Sequence, residues 1–144
     1  MSNKCSVRSD FVYFDTLDTR WSDNDVYGHV NNVVYYEYFD TVVNRLLINK
    51  GWLHISDSPT FAVVAETGCR YFSSISYPET IDVGLAVERI GNTSVVYRLG
   101  IFSHNANDVA AEGRFVHVYV DRKTRIPTPI PAAISVGLKE YLLT

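Results

Sequence analysis

One helical stretch stands ahead of a long run of strand-like alternation, and that order narrows the possible folds most. From residue 60 onward apolar and polar residues alternate with period two. Ile81, Val83, Leu85 and Val87 oppose Asp82, Gly84, Ala86 and Glu88, and Val95, Tyr97, Leu99 and Ile101 form the next face. Residues 61–66 and 68–73 read as one long bent strand, residues 109–121 as another, and residues 11–21 as a first strand upstream. Gly91-Asn92 marks a tight turn, and residues 104–108 make a second short loop. Connections this short join antiparallel neighbours. Between the first strand and the rest, Val34, Tyr35, Tyr38, Phe39, Val42 and Leu46 recur at helical spacing, with Glu37, Thr41, Asn44 and Arg45 on the other side. The many β-branched and aromatic residues would permit a strand there. Length, the Asn31-Asn32 capping pair and Gly51 favour a helix over residues 33–50. Pro127, Pro129 and Pro131 end the sheet, and residues 132–143 read as a short closing helix.

One helix and one sheet must bury their apolar faces against each other. The expected class is α+β: a curved antiparallel β-sheet wrapped around one long central helix. Residues 1–144 are expected to form one domain, with residues 1–10 as a loose tail. Cys5 falls in that tail, so a structural disulfide with Cys69 is not expected, in keeping with a reducing cytoplasm. No apolar run approaches the roughly 20 residues that span a membrane. A net charge of -3 argues against nucleic acid as the main partner, while leaving room for a local basic patch. No Cys/His spacing suggests a metal site, and no cofactor motif is present.

The chemistry concentrates at the junction of the first strand and the helix. There the chain reads Trp21-Ser22-Asp23-Asn24-Asp25-Val26-Tyr27-Gly28-His29-Val30-Asn31-Asn32. Carboxylates and an imidazole stand next to the positive end of a helix, where a developing oxyanion can be held. Each residue has a plainer use. Asp25 suits a turn, Asp23 a loop-orienting contact, His29 a buried backbone partner, and Asn31 and Asn32 helix caps. Glu37 and Asp40 suit the polar face of the helix, with Glu37 a fallback base, and Glu66 has a weaker claim. Ser22 and Ser103 lack the setting of a nucleophile elbow.

From Thr19 to Arg45 the chain resembles the hotdog-fold acyl-CoA thioesterases, specifically the 4-hydroxybenzoyl-CoA thioesterase family. The carrier is the string Asp23-Asn24-Asp25-Val26-Tyr27-Gly28-His29-Val30, a D-x-D-x-x-G-x-V pattern, extended by Asn31-Asn32 and Tyr35 or Tyr36. Gly113, Val118, Asp121 and the proline-rich exit are similar to the family's last strand. The resemblance implies a hotdog fold and hydrolysis of an acyl- or aryl-CoA. It implies that Asp25 is the catalytic carboxylate, as general base or nucleophile, and that the Asn32 backbone N–H is the oxyanion donor. Gly28 would give close backbone approach, and His29 would stand at the site. The plant acyl-ACP branch places Asp, Asn and His at alternate positions. Asp25 and His29 match that pattern, but Tyr27 stands where the Asn would be, which favours an Asp-centred mechanism.

An acyl-CoA substrate calls for an acyl pocket and cations for its phosphates. Tyr35 is the candidate for the first, and Arg122, Lys123 and Arg125, within the dense run Arg122-Lys123-Thr124-Arg125, are candidates for the second. Related proteins pair their sheets edge to edge, so a homodimer or homotetramer with sites between subunits is expected. The alternatives are an acyl-ACP thioesterase and a non-catalytic acyl-CoA-binding protein of the same fold. A hotdog hydratase fits the motif spacing less well.

Overall fold

The alternation becomes a five-stranded antiparallel sheet in a computed structural model that describes residues 6–143. Its strands are β1 (Tyr13–Asp18), β2 (Thr60–Tyr71), β3 (Thr80–Ile90), β4 (Ser94–Ser103) and β5 (Ala111–Asp121), in the spatial order β1-β3-β4-β5-β2. Helix α1 (Asn32–Asn49) lies across the sheet, and α2 (Ala132–Leu138) closes the chain, continuing as a 3-10 turn at Lys139–Tyr141. The antiparallel sheet with one long helix expected from the pattern is observed, and with it the hotdog fold that the resemblance implies.

Helix α1 buries Tyr35, Tyr38, Phe39, Val42, Val43, Leu46 and Leu47, a broader stripe than a two-sided helix needs. They meet the inward residues of β3, β4 and β5, among them Val83, Leu85, Tyr97, Leu99 and Phe115. Close approach at one point depends on a missing side chain. A Cβ on Gly113 of β5 would sit 2.3 Å from the Phe39 ring. At about 25 cal/mol per Å² of apolar surface removed from water, these large residues are the main source of stability.

The other face of the sheet has a smaller core that alternation did not announce. Gly84 and Gly100 stand opposite each other on β3 and β4 and leave a slot. Phe11 fills it, packing with Ala86, Phe102 and Val109. Residues 6–10, expected as part of a loose tail, are instead held by this face. A 3-10 turn covers Arg8–Asp10, and Val7 bridges Asp108. Arg8 pairs with the buried Asp82 at 2.8 Å. The cause is long-range charge pairing, which local composition does not report. Cys5 lies outside the described residues.

Strand β1 is shorter than the expected 11–21, because residues 21–23 turn as a 3-10 helix toward α1. Strand β2 is indeed one long strand, but its bend is a bulge at Ala65, where register with β5 shifts between Val64 and Glu66. β2 forms the sheet's edge next to β5, and Val63, Val64 and Tyr71 remain exposed along it.

Candidate active site

The loop between β1 and α1 is built around a carboxylate that is not the one exposed to solvent. Asp23 is 1% exposed. Its carboxylate accepts the Tyr38 hydroxyl at 2.6 Å, the Arg20 backbone N–H at 2.8 Å and Arg20 Nε at 2.9 Å. Burial alone would push its pKa up. The hydrogen bonds from Tyr38 and Arg20 outweigh that and hold the carboxyl below its ordinary range. The Asp23 carbonyl also accepts the Asn31 N–H at 2.9 Å. Asp23 therefore fixes where the helix begins, the orienting role its position in the run allowed.

Beyond Asp23 the chain makes a small hairpin. The Asp25 N–H bonds the His29 carbonyl at 2.9 Å, and the Gly28 N–H bonds the Asp25 carbonyl at 3.1 Å. Gly28 has φ of +83°, which a side chain would disfavour, and a Cβ there would meet nothing within 4 Å. Its requirement is thus backbone conformation, with no close approach to another group among the described residues. The hairpin is tied to the segment before β3. Val30 N–H bonds the Ile75 carbonyl at 2.8 Å, and the Ser76 hydroxyl bonds the Gly28 carbonyl at 2.9 Å. One Asp25 carboxylate oxygen accepts the Tyr27 N–H at 2.9 Å.

Helix α1 starts with Asn31 as its cap. The Asn31 Oδ1 accepts the Val33 N–H at 3.0 Å, and the Asn31 carbonyl accepts the Val34 N–H at 2.9 Å. Helix-first N–H groups lack intrahelical acceptors. With those two used, the Asn32 N–H has no acceptor among the described residues. Asn31 is the cap and Asn32 the first helical residue, so the two asparagines divide the roles that a capping pair suggested. Tyr71, at the end of β2, donates its hydroxyl to the Asn32 carbonyl at 3.0 Å and ties sheet edge to helix start.

These pieces open onto one cleft of about 420 Å³, lined by Asp25, Tyr27, His29, Val30, Asn32 and Tyr35 on one side and residues 71–74 on the other. The expected residues Asp25, His29, Asn32 and Tyr35 thus come together, with Gly28 shaping their loop. Tyr35 is 3% exposed and packs edge-on to Tyr71 at 4.9 Å, so it forms the cleft wall. Tyr71, Phe72, Ser73 and Ser74 were not foreseen, because strand periodicity says nothing about where a distant strand ends.

Other candidates are elsewhere. Glu37 faces the opposite side of α1 and pairs with Arg20 at 2.8 Å, so it is no fallback base for this cleft. Glu66 pairs with Arg114 on the surface at 2.8 Å. Asp40 bonds Asn44, and burial raises its pKa. Arg122, Lys123 and Arg125 stand past β5, beside the start of β2, whereas the cleft adjoins its end. A strand of this length spans roughly 35 Å at about 3.3 Å per residue. Within one chain the basic turn is therefore remote from Asp25. Arg122 is also engaged: its guanidinium donates to the Ser58 and Ile55 carbonyls and stacks on Phe61 at 5.0 Å.

The model that describes the thioesterase-like superfamily matches residues 19–138. Among solved structures, the PA5185 protein of Pseudomonas aeruginosa is 40% identical, with a TM-score of 0.95, over 98% of this chain and 99% of that one. A predicted thioesterase of Bacillus stearothermophilus is 27% identical with a TM-score of 0.80, over 92% of this chain and 97% of that one. YsmA of Bacillus subtilis, an uncharacterized protein, is 28% identical over 89 residues, which are 61% of this chain and 59% of YsmA.

Proposed function

The chain belongs to the thioesterase-like superfamily, and we propose on that premise that it hydrolyses an acyl- or aryl-CoA thioester to free acid and CoA. The observation that carries this reading is the shared cleft of Asp25 and the Asn32 N–H at the start of α1. In the proposed reaction the thioester carbonyl oxygen points at the Asn32 N–H. That donor and the helix dipole stabilise the oxyanion, a contribution on the order of 3 kcal/mol. Asp25 takes a proton from water as the water oxygen bonds the carbonyl carbon. The tetrahedral intermediate collapses, the C–S bond breaks, and the proton passes from Asp25 to the departing thiolate. Direct attack by Asp25 on the carbonyl is the second form of the same reading. In this reading His29, which lines the same cleft, holds the water, and Gly28 with its positive φ keeps the loop in the conformation that presents Asp25.

The reading includes a homodimer or homotetramer. The exposed β2 edge, with Val63, Val64 and Tyr71, is an open template for a second β2. Across that pairing Arg125 and Lys123 of one copy become the phosphate contacts for the cleft of the other, with Arg122 bracing their turn. No helix among the described residues is long and apolar enough to cross a membrane, and a cytoplasmic location is part of the proposal.

Thiol release from a panel of acyl- and aryl-CoAs, by wild type and Asp25→Asn, tests it. The expected loss is about 100-fold or more in kcat with little change in KM. Tight binding without turnover of any thioester would point to a non-catalytic acyl-CoA-binding protein. Turnover of acyl-ACP alone would move the carrier from CoA to ACP. Full activity in Asp25→Asn would remove Asp25 from the mechanism.

A further inference from the structure

One hydroxyl joins the β2 wall of the Asp25 cleft to the start of α1. Tyr71 is the last residue of β2, lines the cleft, and pairs with Ala111 of β5. The chain just beyond it is fixed, because the Ala110 carbonyl accepts the Phe72 N–H at 2.8 Å and the Ser73 N–H at 3.1 Å. On the other side the Tyr71 ring meets the Tyr35 ring edge-on, with centroids 4.9 Å apart and planes at 82°. Tyr35 is held in turn, since its phenol oxygen accepts the Ile75 N–H. A fixed strand end and a braced ring aim the Tyr71 hydroxyl at the Asn32 carbonyl, 3.0 Å away. Burial, then Cys69 and Tyr36 beside it, push the phenol's pKa up, so it stays a donor well into the alkaline range.

The backbone that this hydroxyl grips is the least constrained part of a helix. The first N–H groups have no acceptor within the helix, and helix ends fray. Three bonds secure the chain on either side of Asn32. The Ile75 carbonyl accepts the Val30 N–H at 2.8 Å, the Asp23 carbonyl accepts the Asn31 N–H at 2.9 Å, and Asn31 Oδ1 accepts the Val33 N–H at 3.0 Å. Tyr71 adds the bond that a distant side chain makes to Asn32 itself. An oxyanion donor works by standing in place before charge develops, and a misplacement of about 1 Å costs roughly 100-fold in rate.

Resting on the thioesterase reading above, we infer that Tyr71 is a positioning residue for the reaction: its hydroxyl holds Asn32 so that the Asn32 N–H meets the thioester carbonyl oxygen. Tyr71 acts through Asn32 and transfers no proton. Its effect falls on the transition state, where the carbonyl oxygen carries most charge, and so on kcat more than on KM. Asp23 anchors the same turn from the loop before the helix, through Asn31, and Tyr71 anchors it from the cleft wall.

Tyr71→Phe keeps the ring against Tyr35 and removes the hydroxyl. Hydrolysis of acyl- and aryl-CoAs should show kcat lowered about ten-fold, with KM within about two-fold of wild type. Removing a donor outright costs about 100-fold or more, and a displaced donor should cost less. Tm should stay within about 4 °C of wild type, because one exposed hydrogen bond adds little to folding. The carbonyl gives a signature that lost stability alone would not move. An acyl-CoA analogue with a methylene in place of sulfur, 13C-labelled at the carbonyl, reports its hydrogen bond as a downfield NMR shift on binding. At saturation that shift should be smaller in Tyr71→Phe than in wild type. Wild-type kcat in the variant overturns the inference, as does a lowered kcat with the wild-type carbonyl shift. A rise in KM alone overturns it by making Tyr71 a substrate contact, and loss of the fold overturns it by making the hydroxyl structural. Wild type that hydrolyses no thioester would instead overturn the thioesterase reading, and the role of Tyr71 with it.

Discussion

His117 should make folding stability fall steeply below neutral pH, and removing it should flatten that fall. The residue lies on the inner face of β5, 2% exposed, with its ring against Tyr97 at 5.4 Å and Phe115 at 5.5 Å. Its Nδ1 has no hydrogen-bond partner among the described residues. Burial therefore lowers its pKa from 6.5 to about 4. The unfolded chain binds a proton near pH 6.5, and the folded chain does not until about 4. Between those values the unfolded state holds more protons, so stability drops as pH drops. At 1.36 kcal/mol per pH unit the loss on reaching pH 4 is about 3 kcal/mol. Leucine is close to imidazole in bulk and carries no proton, so His117→Leu should lack this component. Urea unfolding of both proteins, at one fixed protein concentration, from pH 7.5 to pH 4 measures it. The gap between the variant and wild type should widen by about 3 kcal/mol across that range, with most of the change below pH 6.5. Parallel curves would refute the claim that His117 is buried neutral. Carboxylates such as Asp23 and Asp82 contribute slopes of their own, but these are common to both proteins and cancel in the difference.

Three further outcomes follow from named contacts. Gly113→Ala places a Cβ against the Phe39 ring and should cost about 1–3 kcal/mol, read as a Tm lowered by about 3 °C or more with the cleft chemistry intact in kcat at low temperature. Asp23→Ala strips the Tyr38 hydroxyl of its acceptor in the core and should cost about 1–3 kcal/mol. Wild type should lose the same stabilisation only in strong acid, as pH falls through the lowered Asp23 pKa, so the two unfolding curves should converge there. Val64→Lys puts a charge on the β2 edge and should halve the mass seen in sedimentation while abolishing turnover, and an active monomer would place the whole site within one chain.

The sheet and helix were legible because their signal is local. Period two and period 3.6 are written into consecutive residues, and the strands and α1 appear within two residues of where the pattern sets most of their ends. What stayed hidden depends on partners far along the chain. The Gly84–Gly100 slot for Phe11 requires two glycines on neighbouring strands to come into register, and the pairing of Arg8 with Asp82 joins residues 74 positions apart in the chain. The bulge at Ala65 leaves no trace in composition. At the site, the identity of the loop was legible from its residues, while the far wall at residues 71–74 and the distance to Arg122 were not. Glu37, read as a fallback base on the polar face of the helix, is engaged by Arg20, a contact its own sequence neighbours do not announce.

Asp23 and Asp25 are two residues apart and chemically identical, and the fold puts them in opposite settings. Asp23 is satisfied three times over, by Tyr38 and by both ends of Arg20, and it holds the Asn31 N–H through its carbonyl. That carboxylate has no capacity left for chemistry, but it fixes the first turn of α1 and so the direction of the Asn32 N–H. Asp25 sits just beyond this anchor, with one hydrogen bond from the backbone of its own loop. A base must change its protonation during turnover, so it must not be needed to hold the loop. In the proposed mechanism, separating the anchor from the base by one residue meets both demands. Exchanging the two functions should fail: Asp23→Asn should disturb the position of the donor and so lower kcat even though Asp25 is untouched. Crystals of that variant with an unshifted helix start and normal turnover would show that the anchor is dispensable.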